Sequence, residues 1–252
     1  MTGIIIGAYG VVCYLIFFAT FLYAIAFVGD LPVPATIDGG PPGPLILSLA
    51  VDALLLGLFA IQHSVMARPA FKRVWTRIVP PPAERSTYVL FASLALIAVY
   101  AFWRPLPQVI WSVPAGAATT ALTALFWIGW AMVLISTFLI SHFELFGLTQ
   151  VYNRLMRREA TAMEFRTPGF YRLVRHPIYL GFILAFWAAP VMTLGHLVFA
   201  VATLGYILIA IQLEEHDLIG TFGDRYRAYK AQVGMLIPKL GGKTTKPGVE
   251  AP

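Results

Sequence analysis

The sequence predicts an all-α fold, a polytopic integral membrane helical bundle of five to six hydrophobic helices, the last two a hairpin. Three observations predict it. Hydrophobic residues make up 59% of the 252 and charged ones only 12%, with a mean hydropathy of +0.76, more apolar surface than a soluble domain of this length can hide. These residues arrive in blocks comparable to the ~20 residues that cross a bilayer. Lysine and arginine gather in alternate connections between the blocks, as the topology of a multi-spanning chain requires.

The first block, Ile4–Val28, is too long for a signal-peptide core and lacks a basic start and a small-residue cleavage site, so it is expected to stay as an anchor. It holds the single cysteine, Cys13, which excludes an internal disulfide and a cysteine metal cluster, and no metal site is expected. Gly39-Gly40-Pro41-Pro42-Gly43-Pro44 is a loop breaker and not a phosphate cradle, since no strand precedes it. Leu45–Met66, Thr87–Trp103 and Thr119–Ile140 follow, each expected as a helix because a spanning segment must satisfy its own backbone hydrogen bonds. Ile178–Met192 and His196–Leu213 are shorter, and Pro190 with the Met192–His196 turn reads as the tip of a tight hairpin that need not cross fully. Residues 1–240 are expected to form one membrane-embedded domain, and the Gly/Lys/Pro-rich residues 241–252 a disordered tail.

Arg68, Lys72, Arg73, Arg77 and Arg85 lie between the second and third blocks, and Arg154, Arg157, Arg158, Arg166, Arg172 and Arg175 between the fourth and fifth. Arg225, Arg227, Lys230 and Lys239 follow the sixth, whereas Asp30, Asp38 and a lone Arg104 occupy the other connections. Both termini and both basic loops are therefore expected in the cytoplasm. Topology and anionic headgroups account for a pI near 9.5, so membrane lipids and not nucleic acid are the expected partners.

Polar residues that carry chemistry gather at two helix ends expected on the same face. Arg175-His176-Pro177-Ile178-Tyr179-Leu180-Gly181 opens the fifth block and Glu214-Glu215-His216-Asp217 closes the sixth, so a hairpin brings them to one depth. Pro177 suits a first helical turn, where its missing N–H would be unpaired anyway. His176 and Tyr179 share a face, Gly181 lets a ligand or a neighbouring helix approach the backbone, and Arg172 and Arg175 present forked donors suited to a carboxylate. Glu214 and Glu215 can accept bonds from an ammonium or a ribose diol. The set complements an amino acid joined to a nucleoside. Interfacial arginines also snorkel and pair with acids without any ligand, but adjacent acids at the end of an apolar helix carry an insertion cost that something must offset.

The Arg-His-Pro-x-Tyr-x-Gly run, the hairpin and Glu-Glu resemble the signature of the isoprenylcysteine carboxyl methyltransferase and phospholipid methyltransferase superfamily. Gln62-His63-Ser64-Val65-Met66-Ala67-Arg68 and Ser141-His142-Phe143-Glu144-Leu145-Phe146-Gly147-Leu148 are similar to its NnrU-related branch, and within that branch to enzymes that methylate a small thiol. The resemblance implies S-adenosylmethionine as methyl donor, with Arg175, His176, Tyr179, Gly181, Glu214 and Glu215 lining its pocket and conversion of methanethiol to dimethyl sulfide. It also implies a bacterial cytoplasmic (inner) membrane. A thiol must lose its proton before it attacks, and His63 or His142, at the ends of the second and fourth blocks, are candidate bases with Glu144 as an orienting partner. Packing is the simpler reading of either histidine alone. Two other functions stay open: a prenylcysteine or phospholipid acceptor, and a non-enzymatic haem-binding subunit with the two histidines as ligands.

Overall fold

In the computed structural model, which describes residues 3–159 and 164–239, the apolar blocks become α1 (Gly3–Val28), α2 (Leu45–Ala67), the short α3 (Pro69–Trp75) and α4 (Pro81–Phe102). A strand β1 (Val109–Ser112) leads into α5 (Ala117–Ile140), a turn of helix α6 (His142–Leu145) and α7 (Leu148–Leu155). A 3-10 turn at Gly169–Arg172 then precedes α8 (Pro177–Trp187), β2 (Val191–Thr193), α9 (Leu194–Phe222) and α10 (Asp224–Gln232). The helices α1, α2, α4, α5 and α9 are long and apolar enough to cross a bilayer. Their outer faces are greasy, with Ile46, Leu54 and Ile209 exposed, so the chain is an integral membrane protein, an all-α bundle as expected. The expectation for residues 241–252 falls outside the described residues.

Three boundaries differ from expectation, each for a physical reason. α4 starts at Pro81 and not at Thr87, because Pro81 and Pro82 suit the first turn of a helix and the polar stretch that looked like loop packs inward through Ala83 and Ser86. α8 stops at Trp187, five residues before Met192. At 1.5 Å per residue it is about 16 Å long and cannot cross a hydrocarbon core of about 30 Å. The chain continues in non-helical form into β2, which pairs antiparallel with β1. The Trp111 indole N–H donates to the Ala189 carbonyl, while the Val113 and Leu194 amides donate to Pro190 and Gln108, so this non-helical backbone is satisfied by protein. α9 runs past Leu213 to Phe222, which leaves Glu214 and Glu215 inside a helix rather than at its end.

An aromatic core of Phe27, Tyr100, Trp103, Phe126, Trp130, Phe186 and Phe199 joins α1, α4, α5, α8 and α9. α5 and α8 approach most closely at a pair of glycines: a Cβ on Gly129 would lie 2.7 Å from the Gly181 carbonyl oxygen, and one on Gly181 would lie 2.7 Å from that of Gly129. Small residues let helix backbones touch where lipid supplies no hydrophobic drive. After α6 the chain reverses at Gly147, whose φ of +88° and close approach to Ser86 exclude a side chain. α7 is thereby laid along α1, with Val151 against Gly10. Cys13 is packed and buried.

Candidate active site

His176 precedes a proline and so stands outside the helix, at the N-cap of α8 with Pro177 in the first turn. The Arg175 and His176 amides donate to the carbonyls of Gly234 and Met235 at 2.8 and 3.2 Å, which straps the segment after α10 across the start of α8. Under that strap the Arg175 Nε donates to Glu215 Oε1 at 2.7 Å, and its Nη1 donates to the carbonyls of Lys230 and Val233. Lys230 Nζ meets Glu215 Oε2 at 2.6 Å, and His176 Nε2 lies 3.1 Å from Oε1. Glu215 is 2% exposed. Three nitrogen groups surround one buried carboxylate, the arrangement that makes such burial tolerable.

The sequence pairing of the Arg-His-Pro run with Glu-Glu is thus physical contact, but the contacts divide the set. Arg175 and Glu215 are committed to each other. Glu214 accepts a hydrogen bond from the Tyr179 hydroxyl at 3.0 Å and keeps a side chain 43% exposed, so it remains open to a ligand. Gly181 faces α5, and of its two expected uses the structure displays the helix contact. Tyr226 is buried with its hydroxyl unpartnered among the described residues. A surface hollow of about 660 Å³ beside Asn153, Arg154 and Arg157 contains none of these groups.

The two histidines proposed as bases lie in different settings. Both ring nitrogens of His142 are engaged, Nδ1 with the Thr137 hydroxyl at 2.8 Å and Nε2 with that of Tyr14 at 2.9 Å, and the ring stacks on Phe138 with centroids 4.1 Å apart. Glu144 makes no hydrogen bond to it among the described residues. His63 lies 2.9 Å from the Tyr88 hydroxyl and stacks on Phe59, with Tyr206 edge-on at 6.5 Å. Ser64, the next residue of α2, donates to the Tyr206 hydroxyl of α9 at 3.2 Å, so α9, which carries Glu214, packs against α2 beside His63. His196 donates from Nε2 to the Phe186 carbonyl at 2.9 Å, and His216 is exposed.

Lys230, Tyr88, Tyr206 and Arg85 were not singled out in the sequence as site residues. A tyrosine within an apolar span was the available signal for Tyr206. For Lys230 there was none, since it arrives through the fold-back of α10.

The His142 setting has a measurable consequence. Burial holds its imidazole below the ordinary 6.5, so between that value and the lower folded one the unfolded chain binds more protons. Stability from neutral His142 is therefore complete above about pH 6.5 and is lost as pH falls through the folded value. Thermal melts in detergent should drop across that window in wild type and less steeply in His142→Gln; parallel curves would refute the assignment.

The family described as "Protein of unknown function (DUF1295)" matches residues 62–233. Methanethiol S-methyltransferase of Mycobacterium tuberculosis is 56% identical over 230 residues, 91% of this chain and 94% of the relative. The chain belongs to the methanethiol S-methyltransferase family. Methanethiol S-methyltransferase 1 of Bradyrhizobium diazoefficiens is 57% identical over 91% of this chain and 81% of its own length, and the Crocosphaera subtropica member is 50% identical over 94% and 92%. The family relationship thus takes in more than nine-tenths of the chain. No solved structure matches the chain.

Proposed function

We propose that the protein transfers a methyl group from S-adenosylmethionine to methanethiol, forming dimethyl sulfide at the cytoplasmic face of a bacterial inner membrane. The observation that carries the reading is the Arg175–Glu215–Lys230 cluster with the open Tyr179–Glu214 pair beside it, in a chain about half identical to enzymes named for that reaction. The residues fit the donor in kind. Glu214 offers a carboxylate to an ammonium or ribose diol, Tyr179 an aromatic face to a sulfonium, and Tyr226 an unpartnered buried hydroxyl. Bound there, S-adenosylmethionine supplies an electrophilic methyl group. Arg175, His176 and Glu215 act by holding the start of α8 and the strap in register, and Gly181 by seating α8 on α5.

On the acceptor side, the contacts of His63 with Tyr88 and Tyr206, against a His142 ring with both nitrogens engaged, favour His63 over His142 and Glu144 as the proton acceptor. The alternation of basic connections supports cytoplasmic termini. One experiment tests chemistry and sidedness together. Inside-out vesicles given S-adenosylmethionine and methanethiol should release dimethyl sulfide, read by headspace gas chromatography, while sealed right-side-out vesicles should not. Product from a prenylcysteine or phosphatidylethanolamine instead of methanethiol would refute the acceptor, and equal activity in both vesicle types would refute the face.

A further inference from the structure

Near His63, Arg68 is paired with Asp217 at 2.7 Å and Glu214 accepts from the Tyr179 hydroxyl. Arg85, beside the Tyr88 ring, makes no ion pair among the described residues. Its Nε donates to the Leu145 carbonyl at 2.7 Å and its Cζ lies 5.0 Å from the centre of the Tyr88 ring. Its terminal amino groups meet neither a carboxylate nor another acceptor among the described residues.

Tyr88 joins this guanidinium to an aromatic cluster. His63 stacks on Phe59, the Tyr88 ring lies 5.1 Å from it, and Tyr206 stands edge-on to both Phe59 and His63. An aromatic cluster beside a guanidinium that meets no carboxylate suits a small, soft anion. It has too few polar partners for an amino-acid carboxylate with its ammonium.

We propose that Phe59, His63, Tyr88 and Tyr206 form the acceptor subsite, a cup for a small thiol in which the Arg85 guanidinium is the counter-ion of the thiolate. The inference rests on the reading that the acceptor is a thiol. The S–H proton passes to a ring nitrogen of His63 and then to solvent. The thiolate lone pair forms the new sulfur–carbon bond as the donor's carbon–sulfur bond breaks, and that bonding pair stays on the donor sulfur, which becomes neutral. A thiol ionises at about 8.5 or above, and an opposite charge within about 4–6 Å lowers such a value by about 1–3. A thiol sulfur held at that distance from Arg85 gains about ten-fold or more in its thiolate fraction at neutral pH.

The test uses the full chain in detergent, saturated with S-adenosylhomocysteine so that no turnover occurs. Methanethiol is titrated against pH and its bound thiolate followed by ultraviolet absorbance. Wild type should hold thiolate at lower pH than Arg85→Gln, and Arg85→Lys should stay near wild type. S-adenosylhomocysteine affinity should be unchanged in both. In turnover, Arg85→Gln should lose about ten-fold in kcat/KM for methanethiol at neutral pH and recover as pH rises. Identical thiolate titrations in wild type and Arg85→Gln would overturn the proposal. So would loss of S-adenosylhomocysteine binding by folded Arg85→Gln, which would make Arg85 a donor ligand. If Arg85→Gln does not fold, Tyr88→Phe decides: a raised KM for methanethiol supports the cup and wild-type kinetics overturn it. Wild-type protein that binds S-adenosylhomocysteine but no methanethiol would instead sink the thiol reading itself.

Discussion

Glu215→Ala should lose both donor binding and much of the stability of the bundle's basic end. The substitution leaves Arg175, 8% exposed, and the partly covered Lys230 facing each other without the carboxylate they share. Removing one member of a buried ion pair costs about 3–5 kcal/mol, whereas replacing the pair by apolar side chains of similar size is often neutral. Arg175→Met combined with Glu215→Leu should therefore recover more of the melting temperature than either single change, without recovering binding of S-adenosylhomocysteine. Melts and calorimetry in detergent read the two effects separately. A single Glu215→Ala variant that melts and binds as wild type would show that the cluster neither holds the strap nor serves the donor.

Equally large effects are expected at the glycine contact between α5 and α8. A methyl group on Gly129 would lie 2.6 Å from the Ala185 nitrogen and 2.7 Å from the Gly181 oxygen, so backbone and not a flexible side chain must move. Overpacking of this kind costs about 1–3 kcal/mol, and Gly129→Ala or Gly181→Leu should fall at or beyond the upper end. Gly57→Ala and Gly205→Ala are the opposite case. Nothing lies within 4 Å of either added methyl, and alanine is the better helix former by about 1 kcal/mol, so both should melt at or above wild type. Equal losses at all four positions would mean that the cost arises from glycine replacement in general and not from this contact.

These examples show what was legible before any coordinates. Hydropathy located every long helix, because lipid leaves the backbone almost no alternative. It misjudged α8, since the apolar residues Ala188, Ala189 and Val191 read alike whether they continue a helix or enter a strand; pairing with Val109–Ser112, some eighty positions earlier, decides. The meeting of Arg175 and His176 with Glu215 followed from the hairpin. Its closure by Lys230 did not, because no local pattern marks where α10 returns. Similarly, His63 and His142 are indistinguishable in the sequence as interfacial histidines, and only the hydroxyls around them, Tyr88 for one and Thr137 with Tyr14 for the other, distinguish their surroundings.

The strap between Val174–His176 and Gly234–Met235 also sets an order of events during biosynthesis. Arg175 and the backbone carbonyl of Lys230 that it binds are 55 positions apart, and α8, β2 and α9 all lie between them. At about 5–20 residues per second of synthesis, Arg175 emerges several seconds before its partners and must wait, uncompensated, beside a membrane that is still receiving α9. A nascent chain halted after α8 has every residue of the Arg-His-Pro run and no site. Maturation of the enzyme is thus tied to successful insertion of its last long helix, since a chain that fails to insert α9 keeps the Arg-His-Pro run without the Glu215 carboxylate that pairs with it.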